Sequence, residues 1–300
     1  MTTTSSANYN SQTFSNTLDA ATNLAQPFIS NIADSTKDVY SYDVYSSADM
    51  EKNFSISDPV WQYNGPVLGY NNPNQNFVAA TDCSGFVARV LSATLPSGSA
   101  SVYASLITGS DGKIIDFITD QHPQPFPSAE DYADWIVAGT KANLKEITFS
   151  AVEEQDFTKS GTFSSVQPGD ILAYGLPPGS KDTGHVMIIA GIAELRKGTL
   201  NTSAWGSDLT EFTGNGLSFY AVTVFDSSNV KHYNDQRGNA AAGTTGVGLG
   251  TVLIITDASG APIGFMFNVH DMLLQTTPID TTIAASSVSK IGSLAIGRIV

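Results

Sequence analysis

The chain has 300 residues, 41% of them hydrophobic and 10% aromatic, which is enough to bury a full core as one elaborated domain or as a core with an appended segment. Its formal net charge is −14 with only 14 Lys plus Arg, so phosphate backbones and anionic membrane surfaces are repelled, and nucleic acid is not expected as a partner. No apolar run is long enough to insert into a bilayer, and a single cysteine excludes an internal disulfide framework.

Residues 1–15 are polar and low in complexity and predict a disordered N-terminal tail, leaving 16–300 as a single domain. The first thirty residues contain neither a basic n-region nor an apolar h-region, so no Sec-type signal is visible. Leu18, Ala21, Leu24, Ala25 and Phe28 carry helical spacing, and Pro27 is expected to kink or end that helix. Residues 37–80, rich in Tyr, Asn, Asp and Pro, predict irregular structure; Trp61, Tyr63 and Tyr70 lie there.

The stretch Thr81-Asp82-Cys83-Ser84-Gly85-Phe86-Val87 holds the only cysteine. Phe86, Val87, Val90 and Leu91 fall on one face of a predicted helix, with Asp82 as its N-cap and Cys83 in its first turn. Unpaired N–H groups and the positive end of the helix dipole favour a thiolate there, which is what a nucleophilic sulfur needs. The plain alternative is a buried cysteine acting as a small hydrophobe.

An insertion is expected at about 96–165. It contains a short apolar helix at 114–119, a Pro-rich turn after His122, and Ser128-Ala129-Glu130-Asp131 as a capping box. That box leads into Tyr132, Trp135, Ile136 and Val137 at helical spacing. Beside a cleft such an insertion acts as a lid or a selecting wall, or it is a decoration outside the chemistry.

Val166-Gln167-Pro168-Gly169-Asp170 reads as a turn opening a strand over Ile171–Tyr174, and Gly184-His185-Val186 starts a buried strand. Further strands are predicted at Val186–Leu195, Ser218–Phe225, Thr251–Thr256, Ile263–Phe267 and Leu294–Ile299, with Asp257-Ala258-Ser259-Gly260 as a hairpin turn. Helices first and a mostly antiparallel sheet afterwards make the class α+β. Gly246-Val247-Gly248-Leu249-Gly250 precedes a strand rather than a helix, so it reads as a flexible strand entry and not a phosphate loop.

A helix-borne cysteine and a strand-borne histidine suit papain-like thiol chemistry, which also needs a group to orient the imidazole. His232 is one candidate, in a polar loop where a solvated bystander is the ordinary reading. Arg237, in the same loop, offers a planar guanidinium that could clamp a substrate carboxylate, or form a surface ion pair with Asp235. The histidines at 122, 185, 232 and 270 are nowhere paired at ligand spacing along the chain, so no metal site and no cofactor are expected.

Asp82-Cys83-Ser84-Gly85-Phe86-Val87, together with Gln167-Pro168-Gly169-Asp170 and Gly184-His185-Val186, resembles the NlpC/P60 family of papain-like cell-wall cysteine peptidases. The likeness covers roughly residues 80–95 and 165–230. Cys83 and His185 stand 102 residues apart, more than that family usually shows. The resemblance implies a cysteine helix packed on a mostly antiparallel sheet, with the insertion between the Cys and His motifs. It implies that Cys83 attacks an amide carbonyl, that His185 serves as base and then acid, and that the orienting residue lies on the strand after the histidine.

Asp226 occupies that place, where it would orient His185 or initiate a turn through its side chain. Asp82 and Ser84 would shape the subsite beside the scissile bond, and upstream aromatic residues would line the cleft or simply pack. The implied substrate is a peptidoglycan stem peptide or another peptide, met by a secreted or cell-envelope enzyme; low charge with abundant Thr, Ser, Asn and Gly agrees with export. Alternatives are a papain-like toxin, acyltransferase or deamidase acting elsewhere, and an inactive surface-binding module.

Overall fold

The computed structural model describes residues 13–29, 36–40, 67–71, 76–95, 101–117, 126–149, 166–180, 182–195, 218–230, 232, 235–236, 246–267, 272–274 and 288–300. Helices combine with a mostly antiparallel sheet, so the chain is α+β, as the element order predicts. Contacts divide the chain into two compact units. The first takes Met1–Ser128, Phe225–Val230 and Gln236–Leu249; the second takes Ala129–Val224, Lys231–Asp235 and Gly250–Val300. No helix among the described residues is long and apolar enough to cross a membrane.

The first unit holds helices α1 (Thr17–Ile29), α2 (Cys83–Ala93) and α3 (Val102–Ile107), with strands β1 (Thr36–Tyr40), β2 (Val67–Asn71) and β3 (Asn76–Thr81). The three strands form a sheet in the order β1-β3-β2, with β1 parallel and β2 antiparallel to β3. Over the described residues 37–40, 67–71 and 76–80 this corrects the expectation of irregular structure: β-formers such as Val67, Leu68, Phe77 and Val78 pair between strands. Trp61 and Tyr63 lie outside the described residues.

Helix α1 continues two residues past Pro27, to Ile29. The helix thus ends within a turn of the proline, which removes one backbone donor from its last turn. Inside the expected tail, Phe14 makes a bridge to Thr94, donating its N–H to the Ala93 carbonyl at 2.8 Å and accepting from Leu95 N at 2.7 Å. The apolar helix expected at 114–119 is absent over its described residues 114–117; the helix of that region is α3, capped by Ser101, whose Oγ accepts from Ala104 N at 3.1 Å. Ile114 is instead an exposed partner of Thr108 in an isolated bridge.

Helix α2 packs against α1 and α3. Its sequence contains Gly85 and Ser84, poor helix formers that together cost about 1–1.5 kcal/mol relative to alanine. Phe86, Val87, Val90 and Leu91 are wholly buried, each contributing roughly 1.5–3 kcal/mol as an upper figure. Burial, not propensity, therefore holds this helix.

The second unit is built on helix α4 (Ala129–Ala138) and strands β4 (Leu144–Glu146), β5 (Ile171–Gly175), β6 (Gly184–Leu195), β9 (Pro262–Met266), β10 (Met272–Leu274), β11 (Val288–Lys290) and β12 (Ser293–Ile299), with most of β7 (Ser218–Ser228) and β8 (Gly246–Thr256). The nine-stranded sheet runs β11-β10-β9-β8-β7-β6-β5-β12-β4. Strands β5 to β10 neighbour each other in chain order, and β12 inserts between β5 and β4.

The helix predicted after Ser128 forms: α4 packs on β5 and β12, with Tyr132, Ala133 and Ile136 buried. A side chain at Gly297 of β12 would meet Ile136 and Leu144, so the glycine sets how closely α4 approaches. All five residues of β5 are buried, as expected of a central strand covered on both faces. The described residues of the expected insertion at 96–165 include a strand, β4, beside helices α3 and α4.

Candidate functional site

In the first unit, the local sequence prepares the start of α2. Asp82 is its N-cap, in extended conformation with φ −84° and ψ −174°, and its Oδ1 accepts from Gly85 N at 2.7 Å and from Ser84 Oγ at 3.1 Å. Cys83 is therefore the first helical residue, as predicted, and its side chain is 4% exposed. Asp82 and Ser84 are equally buried, at 3% each.

The end of β7 belongs to the same unit. Ser227 Oγ donates to the Thr81 carbonyl at 2.7 Å, linking the residue before the cap to the strand carrying Asp226. Asp226 itself is wholly buried and lies within β7, which runs three residues beyond the predicted Phe225. The turn-initiating role considered for Asp226 falls to Ser228 instead, whose Oγ accepts from Val230 N at 3.0 Å.

In the second unit, the Pro-Gly-Asp turn forms as expected, with Asp170 N donating to Gln167 O at 3.1 Å. Asp170 Oδ2 accepts from Gln167 N at 2.7 Å, and both its oxygens receive the Arg298 guanidinium, from Nε and Nη2 at 2.8 Å. That planar two-point grip ties the start of β5 to β12. The carboxylate's hydrogen bonds and charge raise the Arg298 pKa further above its ordinary value, against the opposing effect of burial.

His185 is the second residue of β6 and is 5% exposed. It pairs across the ladder with Tyr174, and the preceding Gly184 has φ +117°. A Cβ at Gly184 would collide with the Tyr174 carbonyl, so the strand can deliver this histidine only after a glycine.

His232 departs from expectation. Instead of a solvated loop residue it is 3% exposed, its ring stacked on Phe267 at a centroid distance of 5.2 Å and an interplanar angle of 15°. The backbone N–H of His232 donates to Asp235 Oδ2 at 2.9 Å. His185 meets the same Phe267 edge-on, at 5.2 Å and 76°. The ligating nitrogens of His185 and His232 lie within 4.8 Å of each other.

The fold therefore brings together two histidines that are 47 positions apart, a proximity that spacing along the chain does not indicate. The signal that could have found this is Gly250. A Cβ there would lie 2.6 Å from His232 Cβ, so the glycine read as a flexible strand entry in fact makes room for the imidazole. Tyr174 and Phe265 extend the aromatic wall, with Tyr174 centred 6.4 Å from His185 and 5.2 Å from Phe265.

The candidate residues are thus distributed as Asp82, Cys83, Ser84 and Asp226 in the first unit and His185 and His232 in the second. Arg237, proposed as a carboxylate clamp, lies outside the described residues. No protein-family model, no curated protein and no solved structure matches this chain.

Proposed function

We propose that the chain is a cysteine hydrolase of papain-like, NlpC/P60 type that cleaves amide bonds, with peptidoglycan stem peptides as its first candidate substrate. The observation that carries this reading is the preparation of Cys83 as the first residue of an 11-residue helix, directly behind an Asp82 cap, in the stretch that resembles that family. Cys83 adds to the carbonyl carbon as a thiolate, and backbone N–H groups at the helix start receive the developing oxyanion. His185 takes the thiol proton, returns it to the leaving amine as the C–N bond breaks, and then activates water to release the acyl group from sulfur. Asp226 is the proposed orienting residue, and Asp82 and Ser84 the proposed subsite. Such an enzyme would act outside the cell or at its envelope.

The test is mass spectrometry of defined muropeptides incubated with the protein and with Cys83→Ala. Cleavage by the former and none by the latter is expected; no released peptide with either ends the cell-wall reading.

The near-complete burial of Cys83 favours one other reading, an inactive surface-binding module in which the thiol merely packs. Iodoacetamide labelling across pH separates the two. A nucleophile alkylates at and below neutral pH, whereas a packed thiol reacts only near the ordinary thiol pKa of about 8.5 or above.

A further inference from the structure

We propose that His185 and His232 form a two-imidazole site for a borderline divalent transition-metal cation, with zinc as the type case. Three observations converge on it within the second unit. The ligating nitrogens of two buried histidines lie within 4.8 Å of each other. Two imidazoles on one tetrahedral zinc sit about 3.3–3.4 Å apart, given Zn–N distances of about 2.0–2.1 Å, so a closing movement of about 1.5 Å at most is needed. Modest side-chain rotation supplies that much.

Phe267 stacks on His232 and meets His185 edge-on, so one aromatic ring positions both imidazoles. Gly250 is the backbone position whose missing Cβ admits His232, a cradle that any other residue would fill. Imidazole suits zinc, copper and nickel, whereas calcium and magnesium select oxygen.

Metal binding itself does not depend on the hydrolase reading. Its consequence does: a cation on His185 occupies the lone pair with which that imidazole would accept the thiol proton, so the metal would act as a reversible inhibitor.

The experiment uses full-length Cys83→Ala, which removes the only thiol as a competing ligand. It is titrated with ZnCl2 by calorimetry and with CoCl2 by visible absorption. One equivalent is expected to bind, and His232→Gln is expected to weaken it about tenfold or more. Because an acidic chain also collects cations on surface carboxylates, equal affinity in His232→Gln overturns the proposal, as does the absence of any saturable site.

Should His232→Gln fail to fold, imidazole nitrogen shifts of the intact chain decide. Zinc should move the signals of His185 and His232 while those of His122 and His270 stay in place. Movement of the latter pair alone, or of none, overturns the site. Saturable binding in Cys83→Ala alongside an inactive parent protein would remove the hydrolase reading and leave the metal site standing.

Discussion

The hydroxyl of Ser227 donates to the carbonyl of Thr81 across 146 positions of sequence, and the bond, 2.7 Å long, is buried. It joins the end of β7 to the residue just before the cap of the cysteine helix. Ser227→Ala should lower stability by about 1–2 kcal/mol, the usual cost of removing a buried hydrogen-bond donor. Urea denaturation reads this directly. The same variant should alkylate Cys83 faster, because the helix start loses an anchor; unchanged stability and unchanged labelling would show that the bond constrains nothing.

Asp82 tests the cap more sharply. Asp82→Ala should cost about 1 kcal/mol, whereas Asp82→Asn, which keeps an acceptor for Gly85 N, should cost much less. Thermal melts of the two variants distinguish capping from charge.

Asp257 gives the chain a pH-dependent element. Its Oδ1 accepts from Ser259 Oγ at 2.6 Å, Ser259 N at 2.9 Å and Ala261 N at 3.0 Å, closing the β8–β9 hairpin. The Ser259 hydroxyl above all, aided by the backbone donors, holds this carboxyl below its ordinary value of 3.8. A depressed carboxyl pKa contributes stability that is complete above the unfolded value and disappears as pH falls through the folded one. Asp257→Asn should therefore lower the denaturation midpoint at pH 6, and its deficit against the parent should shrink below about pH 4.

Glu130 has the opposite sign. Burial first, then the neighbouring charges of Asp134 and Asp131, raise its pKa, so its ionised form costs stability at neutral pH. Glu130→Gln should raise the melting temperature slightly at pH 7 and lose that advantage in acid, where both side chains are neutral. A destabilised variant at pH 7 would show that first-turn attraction to the helix dipole outweighs the repulsion.

Gly250→Ala should destabilise by about 1–3 kcal/mol, since the added carbon intrudes on His232. Circular dichroism melts check the cost, and near-ultraviolet spectra should report the disturbed aromatic wall around Phe267.

Local chemistry was readable from the residues. Asp82 caps, Gly169-Asp170 turns and Asp257-Ala258-Ser259-Gly260 closes a hairpin because each depends on a few neighbours in sequence. The strand runs after Gly184 were likewise visible in their apolar patterns. What stayed hidden was set by distant partners. The small sheet upstream of Cys83 is held by inter-strand pairing that its Asn- and Pro-rich composition conceals, and the burial of His232 is created by Phe267 and Gly250. A polar loop sequence carries no mark of the ring that will cover it. The glycine was the available clue, because a glycine inside a strand often records a close neighbour.

The position of β12 has a consequence for synthesis. Residues 293–299 lie between β5 and β4, and Arg298 holds Asp170 at the head of β5. A nascent chain that stops short of them presents β5 with one open edge and a buried carboxylate without its cation. The ladder on that side can close only after residues 293–299 have left the ribosome, and a chain interrupted before residue 293 would be left prone to edge-to-edge association.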